Sequence, residues 1–215
     1  LRDPWPSDEP RFALVAKQMV DSGQWLFPHR GLELYSDKPP MLMWWQATLY
    51  SVIGNWRVAF LLPSLIAALG TLWCVVDLGR WLWTRRVGLY AGWALLFALQ
   101  FTFQSKKAQI DPLVVLFITL ANYGLLRHLL LGPAWRWWWL GWFFAGIGVI
   151  TKGVGVIALL MIVPGAIASA LHWPRVRLHV RDVRFWLAPL AFLLAVGVWL
   201  LPVVLSAVAT KSGEY

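Results

Sequence analysis

From residue 58 onward the chain alternates between long apolar stretches and short polar breaks. The stretches cover 58–79, 88–105, 112–131, 137–151, 154–171 and 185–208. Each comes near the roughly 20 mostly apolar residues that a membrane-crossing helix needs. The pattern predicts six spans over 58–208, packed as an all-α polytopic bundle. The fourth stretch is the shortest and runs into a glycine-rich passage, Gly148–Gly155. Residues 1–57 read differently. They are too polar to span, and they hold most of the chain's carboxylates. From Asp8 they show a helix start, with Pro10 in the first turn. Phe12, Val15, Ala16, Met19 and Val20 then recur at i, i+3, i+4, i+7 and i+8, the spacing of an amphipathic helix. Gly23 suits a left-handed stop. A second helix is predicted from Pro39-Pro40 through Met41–Val52, because proline lacks the amide that a first turn leaves unpaired. Both helices are expected to lie along the membrane surface. The resulting division is 1–57 as an extramembrane loop with two juxtamembrane helices, 58–208 as the bundle, and 209–215 as the start of a following extramembrane segment.

Composition supports the membrane reading. The chain is 60% hydrophobic and 13% charged, outside the usual range of soluble domains. Trp81, Trp83, Trp135, Trp137, Trp138, Trp139, Trp173 and Trp186 fall near predicted span ends, where an amphipathic ring prefers the headgroup level. The net charge of +9 is then explained by anionic headgroups and topology rather than by nucleic acid. Cys74 is the single cysteine and sits within the first predicted span, so no internal disulfide forms. The chain opens without methionine and stops soon after a span, which suggests an internal piece of a longer membrane protein.

Alternation of sides groups residues 1–57, the turn near 105–111, the turn at 152 and the tail after 208. The opposite turns carry Arg80, Arg85, Arg86, Arg127, Arg136, Arg175, Arg177, Arg181 and Arg184. The positive-inside rule makes that arginine-rich side cytoplasmic and the first segment periplasmic.

The acidic side gathers the candidates for chemistry. Asp8-Glu9 opens the first helix; Asp8 serves either as a cap or as a surface carboxylate that takes a proton. Asp37-Lys38-Pro39-Pro40 puts an acid and a base beside a fixed backbone, with Lys38 suited to a phosphate and Asp37 to a metal or hydroxyl. Asp111 precedes Pro112 at a span mouth, with Lys106 and Lys107 on the preceding turn. Ionisable groups at such depths are candidate functional residues. Lys152, in Thr151-Lys152-Gly153, falls on the side the topology rule disfavours for a cation, which points to a phosphate contact. Asp77 reads as a helix ion pair with Arg80 at i+3. His29, His128, His172 and His179 are scattered. No glycine-rich phosphate loop, zinc spacing or Gly-x-Ser-x-Gly elbow is present.

In order, Asp8-Glu9-Pro10-Arg11-Phe12, Gly23-Gln24-Trp25, Tyr35-Ser36-Asp37-Lys38-Pro39-Pro40, Leu62-Pro63-Ser64, Asp111-Pro112-Leu113 and Thr151-Lys152-Gly153 form a series. It resembles the bacterial membrane glycosyltransferases related to protein O-mannosyltransferases, most of all those that move aminoarabinose onto lipid A. The resemblance implies a GT-C fold, a polyprenyl-phosphate sugar donor, a lipid or protein acceptor, and inverting transfer outside the cytoplasm at the bacterial inner membrane. It implies Asp8, Glu9 and Asp111 as catalytic residues. Lys38, Lys152, Lys106 and Lys107 would bind the carrier phosphate, and Asp37 would be the residue for a divalent metal ion. Three departures stand out. The family's Glu is Asp37 here, its Arg before Leu-Pro is Leu61 with Arg57 as a stand-in, and its Pro after Thr-Lys-Gly is Val154. A transporter or flippase for a lipid-linked or anionic solute, and a non-catalytic scaffold, are the alternative readings.

Overall fold

A computed structural model describes residues 3–5, 8–35 and 37–212, without the side chains of 207 and 209–212. Ser36 and the last three residues of the expected 209–215 segment lie outside the described residues.

Helix α1 spans Glu9–Ser22 and buries Phe12, Val15, Ala16 and Met19, the face that the sequence marks. Gly23 stops it at φ 71, and its amide donates to Met19 O at 3.0 Å. Asp8 does not cap: its backbone is already helical and its carboxylate accepts from no first-turn amide. Two strands that the sequence did not suggest follow. Strand β1 (His29–Arg30) pairs antiparallel with β2 (Glu33–Leu34) around Gly31 at φ 68. Two-residue strands are too short to leave an alternating pattern. Helix α2, Met41–Ile53, packs on α1 and buries Leu42, Met43 and Ala47.

Short α3 (Trp56–Ala59), capped by the Asn55 side chain, leads into α4 (Leu62–Leu82). Helices α5 (Arg85–Phe97) and α6 (Leu99–Ser105) meet at a 71° bend, so the predicted span 88–105 is broken at Ala98. Helix α7 covers Ile110–Leu131 and α8 covers Trp135–Lys152. A 3-10 helix, Gly153–Met161, continues into α9 (Ile162–Ala170). Helix α10, Val183–Ser212, contains Pro189 and Pro202. Among the described residues four helical runs are long and apolar enough to cross a membrane: Trp56–Leu82, Ile110–Leu131, Trp135–Ala170 and Val183–Ser206; the bent pair makes a fifth.

The predicted spans 137–151 and 154–171 both fall inside the run Trp135–Ala170. That run folds back on itself. Lys152 is extended, at φ −164 and ψ 90. A Cβ built on Gly155 would sit 2.1 Å from the carbonyl carbon of Gly148. Along a straight helix, seven residues would hold those two positions about 10 Å apart. Ala145 and Ala158 share a cluster with Ala121, and Gly165 packs on Leu129 near the far end of α7. The two legs therefore run antiparallel. Glycine makes this approach possible, as small residues do where membrane helices pack closely.

The main core joins α1 and α2 to the bundle: Phe12, Val15, Met19, Tyr35, Leu42 and Met43 pack with Leu113, Val114, Phe117 and Ile150. This places residues 8–40 over the same end of α7 and α8 that carries Asp111 and Lys152. At the opposite end, Asp77 pairs with Arg80 at 2.6 Å, as the sequence suggests. It also accepts from the Tyr123 hydroxyl at 2.5 Å and lies 3.9 Å from Arg127. Arg127 lies over the rings of Trp81 and Trp137. The sequence did not bring these groups together, because Tyr123 is 46 residues from Asp77. A second cluster, around Trp138, Leu125, Leu129 and Ala188, fills this end.

Candidate active site

Asp8 and Asp37 come together through a residue to which the sequence analysis gave no role. Arg11 donates from Nη2 to Asp8 Oδ1 at 2.9 Å, and its Nη1 lies 3.5 Å from Asp37 Oδ2. The guanidinium also lies over the rings of Phe12 and Tyr35. One turn of α1 sets the first pair, since residues three apart share a face. That spacing from Asp8 to Arg11 was the available signal. The carboxylates of Asp8 and Asp37 remain about half exposed, at 47% and 59%.

Glu9 has a different setting. It is 2% exposed. Its Oε2 accepts from the Trp5 amide at 2.7 Å and its Oε1 from the Ala108 amide at 2.9 Å. The carboxylate thus accepts from two backbone amides, and it pins the start of α1 to the loop that carries Lys106 and Lys107. Lys107 Nζ sits 4.1 Å from the Phe103 ring centre, and Lys106 is exposed. Glu9→Ala orphans both amides, each at about 1–3 kcal/mol if it stays buried. The full-length variant is expected to melt several degrees lower in mild detergent, with Glu9→Gln intermediate. Equal melting of Glu9→Ala and wild type would remove the pinning role.

Asp111 and Lys152, 41 residues apart, meet at 2.5 Å. Asp111 lies in the first turn of α7, where Gln109 rather than Asp111 is the cap residue. Lys152 projects from the reversal between the two legs. Beside them is an apolar cavity of about 410 Å³ between α4, α6 and α7, with Asp111 and Gln104 on its wall.

A second cavity, of about 260 Å³, lies between residues 26–40 and α10, lined by Tyr35, Lys38, Trp199 and Val203 among others. Three donors border it. The Tyr35 hydroxyl and Trp199 Nε1 are buried and have no hydrogen-bond partner among the described residues. Lys38 makes no ion pair among the described residues. Burial raises the Tyr35 pKa above its ordinary value, ahead of the opposing effect of Arg11, which keeps the hydroxyl protonated as a donor. The sequence marked Lys38 alone, because Trp199 lies far along the chain, inside the last apolar stretch.

Among the described residues no three His, Cys, Asp or Glu side chains converge to hold a metal ion. Asp37, the residue expected to bind one, shares Arg11 with Asp8. His29 Nδ1 lies 2.8 Å from Phe27 O. Arg57 does not stand in at the site either, since its Nε lies 3.5 Å from Asp3 on another face of α1.

Residues 37–201 match the family model of dolichyl-phosphate-mannose-protein mannosyltransferases. The chain belongs to this family. The match begins at Asp37 and takes in Lys38, Asp111, Lys152 and Trp199, leaving Asp8 and Glu9 outside. Within it, the undecaprenyl phosphate-alpha-4-amino-4-deoxy-L-arabinose arabinosyl transferase of Pectobacterium carotovorum is 27% identical over 174 residues, covering 77% of this chain and 31% of the relative. A second transferase of that name, from Sodalis glossinidius, is 28% identical over 192 residues, covering 83% and 34%. The chain thus spans about a third of these relatives' length. The crystal structure of ArnT from Cupriavidus metallidurans bound to undecaprenyl phosphate superposes with a TM-score of 0.73 at 22% identity, over 92% of this chain and 38% of that one. The fold is therefore that of a GT-C membrane protein, all-α and multi-pass, as expected.

Proposed function

We propose that the Asp8 end of this bundle is part of the active site of an inverting glycosyltransferase. It would move a sugar from a polyprenyl-phosphate donor to a lipid or protein acceptor. The observation that carries this reading is the Lys38 cavity: an ammonium, a phenol and an indole N–H that meet no acceptor among the described residues, around an apolar space. That combination suits a phosphate with an apolar tail. The relatives named above use undecaprenyl phosphate with an aminoarabinose, so that donor is the first to test, with a lipid A phosphate as acceptor.

The acceptor oxygen attacks the anomeric carbon from the face opposite the carrier. The bond between that carbon and the phosphate oxygen breaks, and the carrier phosphate departs with the electron pair. Lys38 neutralises the charge that builds on it, helped by hydrogen bonds from Tyr35 and Trp199. Lys152, Lys106 and Lys107 supply further positive charge along the rim. Where the acceptor is a hydroxyl, the exposed Asp8 takes its proton. Where it is a phosphate, no base is required, and Asp8, Arg11 and Asp37 orient the sugar. Asp111 holds Lys152 and a sugar hydroxyl.

In this reading the bent pair crosses the membrane once and Trp135–Ala170 crosses twice, giving six spans. The Asp8 end faces the periplasm and the arginine-rich end the cytoplasm, in the inner membrane. The 71° break between α5 and α6 also suits a transporter's discontinuous helix. Incubating purified full-length protein with labelled donor and acceptor separates the two readings. Covalent product is expected, and translocation without product would support transport. Asp111→Asn is expected to lower turnover about 100-fold. Glu33→Gln, on the exposed hairpin, should leave turnover unchanged. Equal turnover for Asp111→Asn and wild type would remove Asp111 from the mechanism.

A further inference from the structure

A cavity of about 930 Å³, open to the surface, lies at the other end of the molecule, lined by Ser169, His172, Trp173, Arg177, His179 and Arg181 among others. A smaller one of about 260 Å³ adjoins it, sharing Arg177 and His179 and adding Arg175. The connector from α9 to α10 forms both. It is anchored where the Arg177 amide donates to Leu129 O at 3.4 Å and the Leu178 amide to Ser169 Oγ at 3.3 Å. His172 takes φ 54 at its start, a left-handed turn uncommon outside glycine.

The charge in these cavities is unbalanced. Arg175, Arg177 and Arg181 meet no carboxylate among the described residues. Asp182, the one acid lining either cavity, accepts from the Arg184 amide at the start of α10. His179 Nδ1 is buried with no hydrogen-bond partner among the described residues, and the ring packs against His128 and Trp135. Next to this cationic shell, Ile167, Leu171 and Trp173 are more than half exposed.

We propose that this connector is a binding site for an anionic phospholipid. Its phosphodiester enters among Arg175, Arg177 and Arg181, and its acyl chains lie along α9 beside Ile167 and Leu171. Basic pockets between helices at headgroup level recognise such lipids, and arginine's fork matches phosphate geometry. The apolar flank is what favours a lipid over free phosphate. This inference is independent of the transferase reading.

Native mass spectrometry of the purified full-length protein, titrated with phosphatidylglycerol, phosphatidylethanolamine or inorganic phosphate, tests it. Wild type is expected to retain phosphatidylglycerol at least tenfold better than phosphatidylethanolamine. The variant R175Q/R177Q/R181Q should lose that preference, and R175K/R177K/R181K should recover part of it. The variant R85Q/R86Q/R136Q removes the same charge at the same end outside the cavities, and it should keep the preference. Equal loss in both glutamine variants, or full retention in the first, would overturn the site. Displacement of the lipid by equimolar inorganic phosphate would assign the arginines to a free anion instead and overturn the lipid assignment.

Discussion

Replacing Lys38 with alanine in the full-length protein is expected to lower sugar transfer by about 100-fold or more, the usual effect of losing a group that stabilises developing charge. The protein should still insert and fold, because Lys38 is only half-buried and makes no ion pair among the described residues. The cavity beside it offers no other cation: its wall is Leu26, Phe27, Leu34, prolines, Val203 and the two neutral donors Tyr35 and Trp199. Nothing there compensates for the lost ammonium. Trp199→Phe keeps the ring and removes one hydrogen bond. A bond to a charged group is worth about 1.5–3 kcal/mol, so a loss of roughly 10- to 100-fold is expected. Lys38→Arg should retain part of the activity, since it keeps the charge and changes the shape. Near-normal turnover by Lys38→Ala, measured with labelled polyprenyl-phosphate sugar, would take the carrier phosphate away from this cavity.

The second large effect concerns the hairpin within Trp135–Ala170. Gly155→Val should prevent the two legs from closing. Its Cβ would fall 2.1 Å from Gly148 C and 2.5 Å from both Gly148 Cα and Val149 N. These are backbone atoms, which cannot rotate away as a side-chain tip can. Overpacking commonly costs about 1–3 kcal/mol and occasionally more, and a clash with backbone belongs at the upper end. The reversal also places Lys152 against Asp111, so an opened hairpin loses that pair as well. The yield of monodisperse protein in mild detergent is expected to fall sharply for Gly155→Val. Gly197→Ala, where the added atom meets nothing within 4 Å, should behave as wild type. A well-behaved Gly155→Val protein would contradict the close approach of the legs.

Much of this was legible in the sequence because a membrane chain writes its constraints locally. The face of α1 and its stop at Gly23 followed from spacing and from one glycine. The polar rim followed from the alternation of spans. The glycine-rich passage at Gly148–Gly155 was visible, but the close packing of its two ends was not, since periodicity does not report which residues meet. For the same reason the contact between Glu9 and the Ala108 amide, 99 residues apart, was not legible. Asp8 looked suited to capping, and the structure instead pairs it with Arg11, which Asp37 shares. Span 88–105 read as continuous because the bend at Ala98 carries no proline or glycine to mark it.

The account rests on the Lys38 cavity as the seat of the carrier phosphate. The most direct test labels purified full-length protein with a photoreactive polyprenyl phosphate and maps the adducts by peptide mass spectrometry. Adducts are expected on residues 35–40 and 199–203, with labelling there falling at least tenfold in Lys38→Ala. Labelling that ignores Lys38→Ala, or that concentrates on residues 169–182 at the opposite end, would contradict it.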